Sequence, residues 1–348
     1  MTEWNSVSDI KKWVKNSKII VNIKSLNILS DKKINEFLED ISDLVSLEYL
    51  FLYNSNVKYI PDTINNLVNL VGIDLRGNKI DSIPENLFKL VKLTMLSLPF
   101  NKINSISTNL SNLVNLTVLD LQKNQIEFVC DSLYELTNLT QLDLSYNKIK
   151  YIPNNISKLH KLVKLNLESN KINSIHKNIS SLKNLVELNL ESNMIISLPE
   201  NIGELVVLNK LNLSKNKIST IPSSFYDLVN LNKLKISHNK IIIISNNIKK
   251  LINLTDLDLS NNKIESLPNS IFMLSKLTHL YLNNNLLTTI DSDISKLKKL
   301  YIFMIQSNKI TEIPKSILDC EMLNINNFYY DEDLVEINPF RDLYKYIY

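Results

Sequence analysis

The sequence predicts an α/β repeat solenoid, in which short parallel strands alternate with short helical segments on the return path. The prediction depends on a strict period, because an asparagine recurs every 23 residues from Asn78 to Asn308 without any insertion. A leucine precedes each of these asparagines by eight residues. One further unit begins at Leu47 and has Ser55 in the asparagine position, so that twelve regular units run from Leu47 to Leu323.

A single unit shows how the repeat is built. Leu142 and Leu144 alternate with polar residues, which is the period of a strand that buries one face. Ile156 and Leu159 follow on the return path at a helix-like spacing. Proline fixes φ and donates no hydrogen bond, which suits a turn between the strand and the helical segment. Seven of the nine prolines occupy that slot: Pro61, Pro84, Pro153, Pro199, Pro222, Pro268 and Pro314.

The run from Leu139 to Ile149 resembles the leucine-rich-repeat family, whose signature is L-x-x-L-x-L-x-x-N-x-L. The resemblance covers about Val21 to Leu323, and the Ile-Pro pair after the signature is similar to the 23-residue intracellular class of Ras-signalling scaffolds and plant Ras-group repeat proteins. It implies a curved horseshoe with a parallel sheet on the concave face and short helical or 3-10 segments on the convex face. It also implies that the asparagine amides form a buried hydrogen-bonded ladder, a role that fits amide chemistry.

The two ends of the chain depart from the repeat, as the ends of a solenoid should. In residues 1–17, Ile10, Trp13 and Val14 share one helical face, which predicts an N-terminal cap helix. Leucine-rich repeats are expected over residues 18–322, as one irregular repeat followed by twelve of 23 residues. Residues 323–348 are rich in aromatic side chains, which predicts a C-terminal cap.

The composition disfavours several kinds of function. The chain has 39 basic and 36 acidic residues, so we expect neither nucleic acid nor a membrane surface as partner. A lysine follows the repeated asparagine in eight units, but no aromatic residues alternate with it to stack on bases. Three glycines are too few for a phosphate-binding loop, and the four histidines lie at four different slots. No cofactor and no metal site are therefore expected.

The two cysteines are too few for a disulfide framework. No apolar signal core begins the chain and no stretch reaches the length of a membrane span, so a cytoplasmic, intracellular location is expected. We also expect a monomer. Bacterial repeat-containing ubiquitin ligases use a catalytic cysteine, but Cys320 occupies a slot that holds leucine in the other regular units. A buried core thiol is therefore the favoured interpretation of Cys320, and Cys130 in the proline slot is interpreted as inert as well.

Binding is expected on the strand face that the core leucines leave free. Three positions of each unit are expected to point outward there, for example Gln141, Asp143 and Ser145. Aromatic, arginine and methionine side chains are typical interface anchors, and charged side chains add specificity. The candidate protein-binding residues are Tyr49, Phe51, Tyr53, Arg76, Met95, Asp143, Glu168, Glu191, Lys210, Lys233, Lys235, Asp258, Tyr281 and Met304. Packing of the terminal aromatic residues against the caps is the alternative interpretation.

The sequence thus predicts a non-enzymatic scaffold that binds a protein partner through the concave face. No nucleophile–base pair supports an enzyme. The alternative hypothesis is an adaptor or effector that recruits a cellular enzyme, such as a ubiquitin ligase or a small GTPase. A recognisable F-box or ligase segment would favour that alternative, and the sequence contains neither.

Overall fold

The computed structural model describes residues 23–30, 33–36, 38–331, 334, 339 and 340. The chain divides into two compact units, residues 1–171 and residues 172–348. The predicted N-terminal cap helix, residues 1–17, lies outside the described residues.

In the first unit, short strands pair in parallel, each with the next one along the chain. The register advances by one period per strand, because Tyr49 lies beside Gly72 and Gly72 beside Met95. Equivalent positions of the repeat therefore form straight rows across the sheet. The strands are β1 (Ser25–Leu29), β2 (Tyr49–Tyr53), β3 (Gly72–Asp74), β4 (Met95–Ser97), β5 (Val118–Asp120), β6 (Gln141–Asp143) and β7 (Lys164–Asn166).

The second unit repeats this arrangement with parallel neighbours in chain order. Its strands are β8 (Glu187–Asn189), β9 (Lys210–Asn212), β10 (Lys233–Lys235), β11 (Asp256–Asp258), β12 (His279–Tyr281), β13 (Ile302–Met304) and β14 (Phe328–Tyr329). Near its end Phe328 is buried and stacks on Phe303 at 5.5 Å between ring centroids. Phe340 is also buried, and its ring centroid lies 6.0 Å from that of Phe328. The boundary of a C-terminal cap at residue 323 stays a prediction.

The return path of each repeat contains a 3-10 helix of three to five residues. In the first unit these helices are Ile34–Glu36, Asp40–Asp43, Asp62–Asn66, Glu85–Lys89, Thr108–Asn112, Asp131–Glu135 and Asn154–Lys158. In the second unit they are Lys177–Ser181, Ile202–Glu204, Ser223–Asp227, Asn246–Lys250, Asn269–Met273, Ser292–Lys296 and Lys315–Asp319. The predicted α/β repeat class, with parallel strands and short 3-10 segments, is confirmed.

Two devices start these helices. Pro61 has extended backbone with φ −67°, and its carbonyl accepts a hydrogen bond from the Ile64 N–H at 3.1 Å. Ser107 occupies the same slot and makes the equivalent carbonyl bond, at 3.2 Å from the Leu110 N–H, and its side chain adds a cap by accepting from the Asn109 N–H at 3.1 Å. Both arrangements satisfy backbone groups that a short helix would otherwise leave unpaired. The sequence-based interpretation of the proline slot as a turn is thus correct.

The core of each repeat consists of the leucines and isoleucines of the signature. Leu139 is fully buried, and Leu142, Leu144 and Ile156 are each 2% exposed. These side chains come from the strand and from the helix of one repeat, so each repeat alone would leave its apolar face open to water. Stacking of neighbouring repeats within a unit buries that face and supplies the hydrophobic stabilisation.

The repeated asparagine is buried and bonds to the backbone of its own repeat and of the repeat before it, as the family resemblance implied. Asn124 Oδ1 accepts from the Ile103 N–H at 2.9 Å, one repeat earlier. Its Nδ2 group donates at 3.0 Å to the carbonyls of Leu98 and Leu121 and at 3.2 Å to that of Gln122. The same pattern recurs at Asn101, Asn147, Asn216, Asn239 and Asn262. The ladder therefore pairs buried backbone groups that no strand can pair, because the strands have already ended.

The residue before each ladder asparagine has a left-handed backbone, which the sequence analysis did not anticipate. Its φ is 70° at Gly77, 57° at Phe100 and 54° at Tyr146. At Gly77 a Cβ atom would lie 1.8 Å from Asn54 Oδ1, so a larger residue there would have to displace the Asn54 side chain. The other residues accept a conformation that costs an L-residue roughly 1–2 kcal/mol, and this turn directs the asparagine amide into the core.

Asn124→Leu should lower the free energy of unfolding by about 1–3 kcal/mol, because the Ile103 N–H and three carbonyls lose a buried partner. The midpoint of urea unfolding measures this change. Gln141→Leu is the matched control, since Gln141 is exposed on a neighbouring strand of the same unit. Equal midpoints for the two variants would contradict a structural role for the ladder.

Candidate functional site

The candidate site is the outward face of the strands in each unit. All fourteen candidate binding residues have exposed or half-exposed side chains. One expectation was wrong, however, because the third outward position is not free in every repeat. Ser145 is fully buried, and Ser214, Ser237 and Ser260 are 4–7% exposed. The outward face therefore offers two variable positions in these repeats rather than three.

Three aromatic side chains form a continuous surface on β2 of the first unit. The ring centroids of Tyr49 and Phe51 are 5.9 Å apart, and those of Phe51 and Tyr53 are 6.0 Å apart and nearly parallel. Tyr49 is 38% exposed, and Leu29, beside Tyr53 on β1, is 64% exposed. These contacts hold the rings in one arrangement, in which Tyr49 is exposed and Phe51 and Tyr53 are half-exposed. Tyr49, Phe51, Tyr53 and Met95 are called the aromatic cluster below.

Glycine at position 72 lets the aromatic cluster extend across three strands. A Cβ atom on Gly72 would lie 2.9 Å from Cδ1 of Tyr49 and 3.3 Å from Cε of Met95. The tyrosine ring and the methionine methyl therefore both lean over the bare backbone of β3. A larger residue at this position would push the two side chains apart and break the apolar surface.

Arg76 lies at the edge of the aromatic cluster. Its guanidinium forms an ion pair with Asp74, and Nε donates to Asp74 Oδ2 at 2.9 Å. Its Cζ atom lies 5.4 Å from the Tyr53 ring centroid, within the range of a cation–π contact. The bond to Asp74 raises the pKa of Arg76, outweighing the opposite effect of burial. Arg76 is thus a fixed cation beside the rings.

Two candidate acids also have a structural task that the sequence analysis missed. Asp143 accepts from the Ser145 N–H at 2.9 Å and from the Ser145 hydroxyl at 2.6 Å. Asp258 makes the same two bonds to Ser260, at 3.0 and 2.7 Å. Aspartate commonly bonds the backbone two residues ahead in this way. The recurrent Asp-Leu-Ser triplet in the sequence was the signal that could have revealed it.

In the second unit, the candidate charged residues form cross-strand pairs. Lys210 Nζ lies 2.6 Å from Glu187, and Glu191 accepts from Lys215 at 2.7 Å and from Asn212 at 2.8 Å. Burial alone would raise the pKa of Glu191, but these bonds outweigh it and lower the pKa. Most of the charge on this part of the face is therefore paired within the protein, where exposed pairs add little stability.

A second apolar surface lies near the end of the second unit. Tyr281, Met304 and Tyr329 occupy one row across three neighbouring strands. His279 lies next to Tyr281, with 6.3 Å between ring centroids, and 6.2 Å from the ring of Tyr301. Burial raises the pKa of the Tyr281 hydroxyl, so Tyr281 is neutral at physiological pH. Each unit thus has its own group of outward aromatic and methionine side chains.

The family models and the solved structures agree with this geometry. A model of the leucine-rich repeat region matches residues 6–145, and a leucine-rich-repeat model matches residues 138–195, 183–241 and 252–310. A leucine-rich-repeat protein of Leptospira interrogans has 31% identity and a TM-score of 0.72, over 89% of this chain and 90% of that chain. The chain belongs to the leucine-rich-repeat family.

Two other solved leucine-rich-repeat structures are similar. An internalin of Listeria monocytogenes has 27% identity and a TM-score of 0.69, over 86% of this chain and 95% of that chain. The plant peptide hormone receptor RGFR1, solved in complex with RGF2, has 28% identity and a TM-score of 0.70, over 89% of this chain and 54% of that chain. No curated protein matches. Similarity to the Ras-group class stays a prediction.

The described part of this leucine-rich-repeat chain contains no group of three histidine, cysteine or acidic side chains that could hold a metal ion. The same residues form no helix with both the length and the hydropathy that a membrane span requires. The two cysteines are free and differ in environment. Cys320 is 1% exposed, and burial raises the pKa of its thiol to about 11. Cys130 is half-exposed, with its Sγ 2.8 Å from the Ser132 hydroxyl.

The two thiols should react at different rates with a disulfide reagent at pH 8. Cys130 should react in the native protein, whereas Cys320 should react only after denaturation, because a thiol that is buried and protonated is a poor nucleophile. Titration of wild type, Cys130→Ser and Cys320→Ser measures the two rates separately. Rapid native reaction of Cys130→Ser would show that Cys320 is not the core residue described.

Proposed function

We propose that this leucine-rich-repeat protein is a non-enzymatic scaffold that binds a protein partner, and that the aromatic cluster of the first unit is its main anchor. The observation that carries the proposal is the partly exposed surface formed by three neighbouring aromatic rings on one strand. Members of this family are commonly protein-binding scaffolds. The proposal adds a location and a set of residues to that general role.

The aromatic cluster contributes apolar surface that the fold does not require. The core of the same strand is built by Leu50 and Leu52, which point to the opposite face and are 2% and 1% exposed. The outward residues of the neighbouring strands are mostly small or polar. Monomeric proteins rarely leave a continuous apolar patch exposed without a use, and tyrosine, methionine and arginine are enriched in protein interfaces.

The comparisons support a peptide or protein as the class of partner. The solved receptor that is 28% identical to this chain is a plant peptide hormone receptor in complex with RGF2. This chain spans about half of that receptor, 54% of its length. The ligand of the receptor therefore suggests the kind of molecule that such a repeat can hold, and the partner of this chain is a separate question.

The remaining candidate residues have a secondary role in the proposal. Tyr281 and Met304 of the second unit would supply a further apolar contact, and the charged residues would set orientation and association rate more than affinity. No feature of the described residues favours the alternative of an adaptor that recruits a ubiquitin ligase or a small GTPase. The cytoplasmic location and the monomeric state stay predictions.

Phe51→Ala should weaken partner binding by about 2 kcal/mol or more, because it removes the central ring of the aromatic cluster. Crosslinked affinity capture from lysate identifies the partner, and titration of the purified pair measures affinity. The thermal unfolding midpoint should change little, since Phe51 lies on the outward face of its strand.

Phe128→Ala is the matched control, because Phe128 is 62% exposed and lies in a loop away from the strands. It should capture the same partners as wild type. Loss of stability in Phe51→Ala together with unchanged capture would mean that the aromatic cluster packs against another part of the chain and is not the binding site.

A further inference from the structure

A row of polar residues crosses the first unit next to the aromatic cluster. Asp74, Ser97, Asp120 and Asp143 occupy the same position of four consecutive repeats and are neighbours in register on β3 to β6. Their side chains lie on the outward side of the sheet, because residues paired in a parallel ladder share a face. These four residues are called the acidic row.

Asp120 is the aspartate of the acidic row with the fewest internal bonds. Asp74 is bonded by Arg76, and Asp143 accepts from Ser145 and, at 2.8 Å, from Asn166. Asp120 accepts from the Gln122 N–H at 3.1 Å. Burial, followed by the charges of Asp143 and Asp74, raises the pKa of Asp120 to about 6, although the Gln122 bond and Arg76 oppose the shift. Its carboxylate is therefore the one that a further positive charge would stabilise most.

Ser97, the neighbour of Asp120 in the acidic row, is an independent sign of a missing partner. Its side chain is 4% exposed, and its hydroxyl has no hydrogen-bond partner among the described residues. Serines at the next outward position of other repeats differ, because the Ser145 and Ser260 hydroxyls donate to aspartates. Leaving a buried hydroxyl unpaired is unfavourable, because the group has lost its bonds to water without gaining others. A ligand group that donates hydrogen bonds would here meet the Ser97 hydroxyl and the Asp120 carboxylate together.

We propose that the acidic row binds the guanidinium of an arginine side chain, between Ser97 and Asp120. A guanidinium presents five N–H donors in a plane, enough to bond a carboxylate and a hydroxyl at once. The inference rests on the proposed function, because the arginine belongs to the partner whose apolar side chain covers the aromatic cluster.

The geometry also sets the spacing of the two partner residues. From Phe51 on β2 to Asp120 on β5 there are three steps between strands, or about 14 Å at roughly 4.8 Å per step. An extended segment rises about 3.4 Å per residue, so about four residues cover this distance. The partner segment therefore crosses the strands with an aromatic residue and an arginine four positions apart.

The probe is the acetylated, amidated peptide Phe-Ser-Ser-Ser-Arg, and its control has citrulline in place of arginine. Citrulline keeps the shape of the side chain and removes its charge. At pH 7.5, NMR titration of the full chain should show about tenfold tighter binding of the arginine peptide, as expected for charge-assisted hydrogen bonds. Asp120→Asn should abolish this preference, and Ser97→Ala should reduce it.

The preference should also depend on pH. The groups that face Asp120 are Asp143, Asp74 and Arg76. Because the ionised carboxylate attracts the guanidinium and the protonated one does not, the preference is present above pH 6 and is lost as the pH falls through about 6. In Asp120→Asn the affinity ratio of the two peptides should be flat over the same range. Asp62→Asn, an exposed aspartate on a 3-10 helix, is the matched control and should behave as wild type.

The inference would be overturned by equal binding of the two peptides, by no binding of either peptide at millimolar concentration, or by a preference that survives in Asp120→Asn. Failure of the proposed function gives a different pattern. In that case Phe51→Ala would leave both the affinity of the peptides and the capture of partners unchanged, while Asp120→Asn would still abolish the arginine preference. A lysine peptide that binds as tightly as the arginine peptide would also contradict the inference, since it would show that charge alone is recognised.

Discussion

The structure of each unit depends on the buried amide of one asparagine per repeat. The strands are only three residues long in most repeats, so the backbone leaves the sheet while it is still surrounded by apolar side chains. The asparagine amide pairs the carbonyls and the N–H group that are stranded there, through bonds within its repeat and to the repeat before it. Without that pairing, burial of the leucines would be opposed by the desolvation of backbone polar groups.

This arrangement separates the residues that build the fold from those that are free to vary. The inward leucines, the asparagine and the left-handed residue before it provide packing and hydrogen bonding for each repeat. The outward positions make few backbone contacts, except where an aspartate or a serine supports the turn that follows the strand. In the first unit these free positions hold an apolar patch, a fixed arginine and an acidic row within a few strands of one another. Such a combination can recognise a ligand by shape, by charge and by spacing.

Much of the fold could be predicted from the sequence, because a fixed period places every leucine and asparagine in an equivalent environment. The resemblance to a known family led us to expect the asparagine ladder, and the structure confirms it. Three features were not predicted from the pattern. Ser145 follows the outward alternation of its strand but is buried, with its hydroxyl bonded to Asp143. Asp143 was interpreted as a binding residue without its bonds to Ser145, and the orphan hydroxyl of Ser97 depends on side-chain positions that no periodicity encodes. The fold therefore follows from the repeat pattern, whereas the site depends on side-chain contacts that the pattern does not determine.

The central claim, that the ladder holds the fold and leaves the outward face free, is tested most directly by amide hydrogen exchange. The amides of Ile80, Ile103, Ile126 and Ile149 each donate to a ladder asparagine in the first unit. Their exchange is measured in wild type and in a variant that carries both Phe51→Ser and Met95→Ser. The account predicts that these amides are among the slowest to exchange in both proteins, since they open only when a repeat unfolds. Exchange of the ladder amides at the rate of exposed loops, in either protein, would contradict it.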